Sequence, residues 1–549
     1  MQDRTFIIDS DYLDGVKEHL YGYMITDDGD IYIDEVPDKI YDSGLFCIVK
    51  RRSNNIIVKQ DFCASFGLYL YQSNNHFVVS NSFFRMVEYI DDKLSINYRA
   101  LDIIFYADDC PIIYKETPIK EIVKLTSDEY ISINVVEKSI SVLQKKYVYF
   151  EKQPDRLEYF QILDNWFYKW VKVFRNLVKN GYPINMDLSG GLDTRIILAM
   201  MRVGKIDINS CVNILCHEKA NVFSDNEDLR IAKVIASDLG FKLNSNESFD
   251  VKNIGHFPAF KAYNACKYTS FTRSNMNKYC KNLYDNTLIS IKGTGSTIKG
   301  IDWKSIDSFV NMYVDSYDCY SSNRGIKNIL AKKLKKYKQK KIYFNNVNNI
   351  LDGYDGDTSH KATYLFKKMM IENIDSVKAL DWMNGNNIVI SPFFDSSISK
   401  LDYNPNSIDK LFLCSLILDR FDSNLLKYDV ENRKFNKDTL KIVRELNKKY
   451  LLKKKRFNVL KKEKTVITKK IINSTELGDY LENIWSKKEF KSVIDKYFGN
   501  NVYNTIINDV DKNKINLKPQ KVNILLMVYE LERILNNKAS SRCNDVKKV

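Results

Sequence analysis

The sequence predicts an α/β protein: an antiparallel β-rich domain over residues 1–150, then a parallel-sheet α/β domain over residues 151–549 whose C-terminal part is helical. Three observations predict it. Short alternating apolar runs broken by turn residues fill the chain up to about residue 150. A strand, loop, helix, strand, helix rhythm follows, and beyond residue 300 the apolar spacing is mostly helical. At 549 residues the chain is also too long for one ordinary core.

In the first domain the runs Leu45–Val49, Asn55–Val58, Gly67–Tyr71 and Phe77–Ser80 read as strands of an antiparallel sheet, with hairpin turns at Ser53-Asn54 and Ser73-Asn74-Asn75. The character changes near Glu151–Arg156, and Leu157–Asn180 has the spacing of an amphipathic helix. Gly181-Tyr182-Pro183 ends it. Ile184–Leu188 is then a short strand running into a Gly-rich loop, with a helix predicted over Arg195–Met201. Cys211–Leu215 is a second apolar strand and Asp228–Ala236 a second helix, closed by Gly240 as C-cap.

Composition narrows the function. No window of eighteen apolar residues occurs and the start, Met1-Gln2-Asp3-Arg4, lacks a basic-then-apolar layout, so no membrane partner is expected and the expected location is cytoplasmic. Ten cysteines contain no Cys-x-x-Cys pair and five histidines no metal-ligand spacing, which points to buried thiols and away from zinc. The net charge of +15 is uneven, since residues 1–150 hold 24 acidic against 16 basic side chains. The excess gathers in Lys327–Lys341 and Arg444–Lys470, runs that read as solvated helix faces, and nucleic acid is not the expected partner.

The chemistry is concentrated in Ser189-Gly190-Gly191-Leu192-Asp193-Thr194, placed between a strand end and a helix start. Two glycines let the backbone turn tightly and approach an anion, and amides at a helix N-terminus face phosphates. Ser189 and Thr194 offer hydroxyls, and Asp193 offers a carboxylate for Mg²⁺. The pattern is neither a Walker loop nor a dinucleotide fingerprint.

Leu188–Arg195 resembles the Ser-Gly-Gly-x-Asp-Ser signature of PP-loop ATP pyrophosphatases, and within them the asparagine synthetase and β-lactam synthetase family. Asp228-x-x-x-Ala232-x-x-x-Ala236 is similar to that family's second helix, and Pro392-Phe393-Phe394-Asp395 to its Pro-Phe-Leu-Asp segment. The resemblance implies ATP and Mg²⁺ as cofactors, bound by Leu188, Ser189, Gly190, Gly191, Leu192, Asp193, Thr194, Ile214, Gly293 and Gly295, with Asp193 on the metal. The family's third element, Gly-x-Gly-Ala/Ser-Asp, matches Gly293-Thr294-Gly295-Ser296-Thr297, with Thr294 at the catalytic position and Thr297 where the family has Asp. Lys292 and Lys299 bracket this loop as candidates for pyrophosphate contact; Lys299 reads more readily as a surface lysine, and Lys292 joins Thr294 as a catalytic candidate.

Residues 44–82 resemble the glutaminase domain, of N-terminal-nucleophile hydrolase type, that precedes the ligase domain in asparagine synthetases. The nucleophilic cysteine of that class would stand at position 2, which is Gln2, so no glutamine hydrolysis is expected. The implied function is an ATP-dependent ligase that adenylates a small carboxylate substrate and forms an amide with an amine or ammonia. A homodimer is compatible with it. Two alternatives stand beside it: a catalytically degenerate nucleotide-binding relative, and a PP-loop RNA-modifying enzyme.

Overall fold

The computed structural model describes residues 5–74, 76–106, 114–145, 155–216, 227–245, 287–295, 340–342, 344–352, 361, 364–365, 387–401, 411–430, 434–451, 454–462, 488–498, 525 and 527–538. Gln2, Ser296, Thr297, Lys299 and most of Lys327–Lys341 lie outside them.

The N-terminal region is antiparallel β, as expected, but it forms two sheets rather than one. A six-stranded sheet is built from β2 (His19–Ile25), β3 (Ile31–Ile33), β4 (Ser43–Arg52), β5 (Asn55–Gln60), β9 (Glu129–Asn134) and β10 (Ser139–Gln144), in the order β10-β9-β5-β4-β2-β3. A four-stranded sheet has the order β1-β7-β6-β8, from Ile7–Asp9, Phe77–Ser80, Leu68–Gln72 and Ile122–Leu125. The β4–β5 hairpin turns at Ser53-Asn54, with Arg52 opposite Asn55 and Ser53 at a φ of 50°. After β5 the chain leaves this sheet because Asp61 gathers a tight turn. Its carboxylate accepts from the amides of Phe46 (3.0 Å) and Cys63 (2.7 Å) and from Ser65. Gly67, at a φ of 64°, completes the bend before β6. The two sheets share one core, in which Leu45, Val49, Ile56 and Val58 of one meet Leu68, Leu70 and Val79 of the other.

The predicted helix forms as α3 (Arg156–Lys179), if two short N-terminal helices, α1 (Phe83–Tyr89) and α2 (Tyr98–Tyr106), are counted before it. Asp155 caps α3 by accepting from Glu158 N at 2.8 Å. Its apolar stripe buries Trp166, Phe167, Trp170 and Phe174, each worth about 2 kcal/mol of burial. The stripe continues into the core of the next sheet.

That sheet is wholly parallel, with β11 (Ile184–Asp187), β12 (Val212–Cys216), β13 (Leu243–Ser245), β14 (Leu288–Ile291) and β15 (Asn387–Ile390) in the order β13-β12-β11-β14-β15. The chain winds outward one way from β11 and then returns to add β14 and β15 on its other side. The strand order therefore reverses between β11 and β14, the kind of switch point beside which open α/β sheets bind their ligands.

Two of the boundaries that differ from the sequence expectation lie beside the Gly-rich loop and its neighbouring strand. The helix after the Gly-rich loop, α4 (Leu192–Val203), starts three residues before Arg195, because extended Gly191 (φ −74°, ψ 164°) serves as its N-cap. Cys211 ends a short helical turn, α5 (Ile208–Cys211), rather than opening β12. The second helix, α6 (Glu227–Leu239), ends as expected at Gly240, whose φ is 71°. There Phe241 N donates to Ala236 O (3.0 Å) and Gly240 N to Ser237 O (3.2 Å), the paired bonds of a left-handed C-cap. Beyond it, α7 (Phe412–Asp422) packs against α4, and α8 (Lys437–Lys449) against α7. On α8 the residues Lys441, Arg444, Lys448 and Lys449 are exposed while Thr439 and Val443 are buried, so this stretch of the basic run is a solvated helix face. The five described cysteines, Cys47, Cys63, Cys211, Cys216 and Cys414, are buried thiols. Among the described residues no helix is long and apolar enough to cross a membrane.

Candidate functional site

Three loops leave the C-terminal ends of β11, β14 and β15 side by side. Ser189-Gly190-Gly191 follows β11, Lys292–Gly295 follows β14, and Ser391–Asp395 follows β15. They are in contact. A side chain on Gly293 would place its Cβ 2.8 Å from Asp193 Cβ and 3.3 Å from the Thr194 amide, so glycine is what allows the second loop to lie on the first turn of α4. Ser391 Oγ donates to Thr294 O at 2.7 Å, tying the third loop to the second. Within these loops Ser189, Gly191, Lys292, Gly293 and Thr294 are half-buried while their neighbours are buried.

The first loop is held by its own hydroxyls and by two charged side chains. Ser189 N donates to Thr194 Oγ1 (3.2 Å) and Gly191 N to Ser189 Oγ (3.0 Å). Gly190 N donates to Asp228 Oδ1 at 2.8 Å, from the start of α6. Both glycine amides of the turn are thus engaged within the protein, Gly190 N by Asp228 and Gly191 N by Ser189. Arg195 is fully buried. It donates from Nη2 to Gly190 O (2.8 Å) and to Asp429 O, and from Nη1 to Tyr428 O (2.9 Å). Burial brings the guanidinium down to about 10, against the raising influence of Asp429, Tyr428 and Asp228, so it stays charged at neutral pH.

The predicted residues separate into two groups. Asp193 and Thr194 lie in the first turn of α4 with 8% and 7% exposure, against Gly293, and Lys292 forms an ion pair with Asp187 at the end of β11. The side chains of Leu188, Leu192 and Ile214 instead belong to the core, each 1% exposed, leaving only their backbone to meet a ligand. Lys292 N also donates to Ile390 O (3.0 Å), which extends the β14–β15 pairing into the loop.

Sequence reasoning missed Arg195, the clasp of Asp228 and the role of Asp395. A buried arginine directly after a Gly-Gly-x-Asp-Thr turn was the available signal for the first. Asp395 is fully buried and joins three parts of the chain. Its carboxylate pairs with Lys169 (2.9 Å) and accepts from Trp170 Nε1 (2.9 Å) of α3, from Ser43 Oγ (3.0 Å) of β4 and from Ser397 Oγ (2.7 Å). Burial would raise it, but the Lys169 ammonium and the Ser397 donors outweigh burial and hold the carboxyl below its ordinary range.

Among the described residues one trio with metal-binding side chains gathers elsewhere, Asp9, Asp11 and His76. Asp9 is already engaged there by His76 Nε2 (3.0 Å), Tyr89 OH (2.6 Å) and Asp11 N (2.8 Å).

Gly295, at a φ of 80°, is the tightest point of the second loop: an added Cβ would lie 2.2 Å from Cε1 of buried Phe394. Gly295→Ala is expected to lower stability by roughly 2–4 kcal/mol through overpacking and backbone strain. Urea unfolding of the two proteins checks this, and an unchanged midpoint contradicts the packing described.

Compared with known proteins, the chain matches no family model and no curated sequence.

Proposed function

We propose that the chain is an ATP-dependent carboxylate–amine ligase of the asparagine synthetase-like class, with a PP-loop ATP-binding domain and an N-terminal domain of glutaminase type that lacks its nucleophile. The observation that carries the reading is the position of Ser189–Thr194: a double-glycine turn at the reversal point of a parallel sheet, opening a helix and lying against a second glycine loop. The two facing antiparallel sheets of the N-terminal region support the domain assignment.

The residues present fit a magnesium–triphosphate group. Gly293 lets the second loop lie on the first turn of α4, one carboxylate (Asp193) stands in that turn, and a lysine (Lys292), paired with Asp187, opens the second loop. Asp193 would hold Mg²⁺, whose charge offsets that of the phosphates. The α4 dipole and its opening amides orient the triphosphate. Thr294, half-buried on the second loop, offers a neutral hydroxyl.

In the proposed reaction a substrate carboxylate oxygen attacks the α-phosphorus. The bond from that phosphorus to the bridging oxygen breaks and pyrophosphate departs. An amine or ammonia nitrogen then attacks the acyl carbon of the adenylate, the bond from that carbon to the phosphate oxygen breaks, AMP leaves with the bonding pair, and the nitrogen's proton passes to solvent to leave the amide. The protein contributes position and charge. Incubating the full chain with Mg-ATP, a panel of small carboxylic acids and an amine should release pyrophosphate with one acid class. Release of none with any acid, by a chain that does bind ATP, would replace this reading with the second: a nucleotide-binding relative without turnover. That second reading draws on Thr294 and Thr297, where carboxylate and proton-transfer groups are absent from the sequence, and on the Asp228 carboxylate occupying the Gly190 amide.

A further inference from the structure

We propose that Arg195 is a positioning residue that fixes which way the Gly190–Gly191 peptide points, and through it whether the turn can present the Gly191 amide to a phosphate. The inference rests on the ATP-binding reading of this loop for its functional consequence, but not for its geometry.

The Gly190–Gly191 unit is free to flip in a way that ordinary peptides are not. A flip of this single peptide rotates ψ of Gly190 and φ of Gly191 by about half a turn, and glycine tolerates both results. The observed state has Gly191 at a φ of −74°. In a trans peptide the carbonyl and the following N–H point in opposite directions, and no described bond here is cis. Arg195 Nη2 holds the Gly190 carbonyl on the buried side at 2.8 Å, so the Gly191 N–H is directed the opposite way, to half-exposed Ser189 Oγ at 3.0 Å. A hydroxyl rotates easily and can yield that amide to an incoming anion.

The preceding peptide is fixed separately by the bond from Gly190 N to Asp228, which confines the freedom to one unit. Arg195 is itself fixed by the carbonyls of Tyr428 and Asp429. The residues that follow α7 thus set the conformation of a loop more than two hundred positions earlier.

The experiment uses substitutions that separate peptide orientation from general stability. Ala at position 191 keeps the observed φ but disfavours the flipped one, which needs φ positive. Mg-ATP and inorganic pyrophosphate are titrated into the full chain and into Arg195→Gln, Gly191→Ala and the double variant. Arg195→Gln is expected to weaken binding about tenfold in the parent and less than about threefold when Gly191→Ala is already present, since two substitutions acting on one peptide are not additive. Amide exchange of fragments covering residues 189–194 is measured without nucleotide: faster in Arg195→Gln, slowed again in the double variant, with fragments over β11 unchanged. Equal losses in both backgrounds, with exchange that Gly191→Ala does not restore, overturn the proposal. Should the parent chain bind neither ligand, the ligase reading falls and the exchange comparison alone decides the role of Arg195. If Arg195→Gln fails to fold, Arg195→Lys, which keeps the charge and fewer donors, takes its place in the same comparison.

Discussion

Asp193→Asn is expected to lower magnesium-dependent ATP binding and pyrophosphate release by on the order of 100-fold while leaving the fold intact. The side chain sits in the first turn of α4 and packs against Gly293, so an isosteric amide keeps the packing. What it removes is the negative charge. The favourable interaction of that charge with the helix N-terminus contributes about 0.5–1 kcal/mol, a small fraction of the stability of a chain this size. A hard divalent cation, by contrast, discriminates strongly between a carboxylate and an amide oxygen. Titrations with and without magnesium should therefore show the variant insensitive to the metal. Retained magnesium dependence in Asp193→Asn would remove this residue from the metal site.

Asp395→Asn is expected to destabilise the protein by about 3–5 kcal/mol, because it leaves the Lys169 ammonium, only 10% exposed, without its counter-charge. Its effect extends beyond one loop, since Asp395 joins β4, α3 and the segment after β15. Trp166 Nε1 donates to Pro392 O (3.0 Å) beside it, so the same substitution loosens the loop that steadies Thr294 through Ser391. The pH dependence has a definite sign. The folded carboxyl titrates below its unfolded value of about 3.9, so its contribution is fully present above that value and is lost as pH falls through the lower, folded one. Urea unfolding between about pH 2 and 7 should show the parent losing stability steeply below pH ~4 and Asp395→Asn losing less. Equal slopes would mean that the carboxylate is not held charged in the native state.

The extent to which these features could be read in the sequence follows the range of the interactions that make them. The β4–β5 hairpin, α3, β11 and α6 with its Gly240 cap are set by local periodicity and turn chemistry, and all were legible. The division of the N-terminal strands into two sheets was not, because it depends on Asp61 collecting donors from β4 and from its own turn. The glycine loops were visible as motifs, since a tight turn and a close approach each demand glycine. Their supports were not: Arg195 reaches carbonyls at 428–429, and Asp228 reaches back 38 residues. Asp395 stood within a quoted motif, yet its partners come from 225 and 352 positions away. Ile214 was named through the family resemblance, and alternation along β12 turns its side chain into the core, leaving its backbone to meet a ligand.

The most direct measurement is a calorimetric titration of the full chain with ATP in the presence of magnesium, with Asp193→Asn as the comparison. Saturable one-site binding by the parent is expected, weakened on removal of magnesium or of the Asp193 charge. No heat of binding by the folded parent chain, or equal binding by parent and variant, would contradict the placement of a nucleotide at the loops that follow β11 and β14.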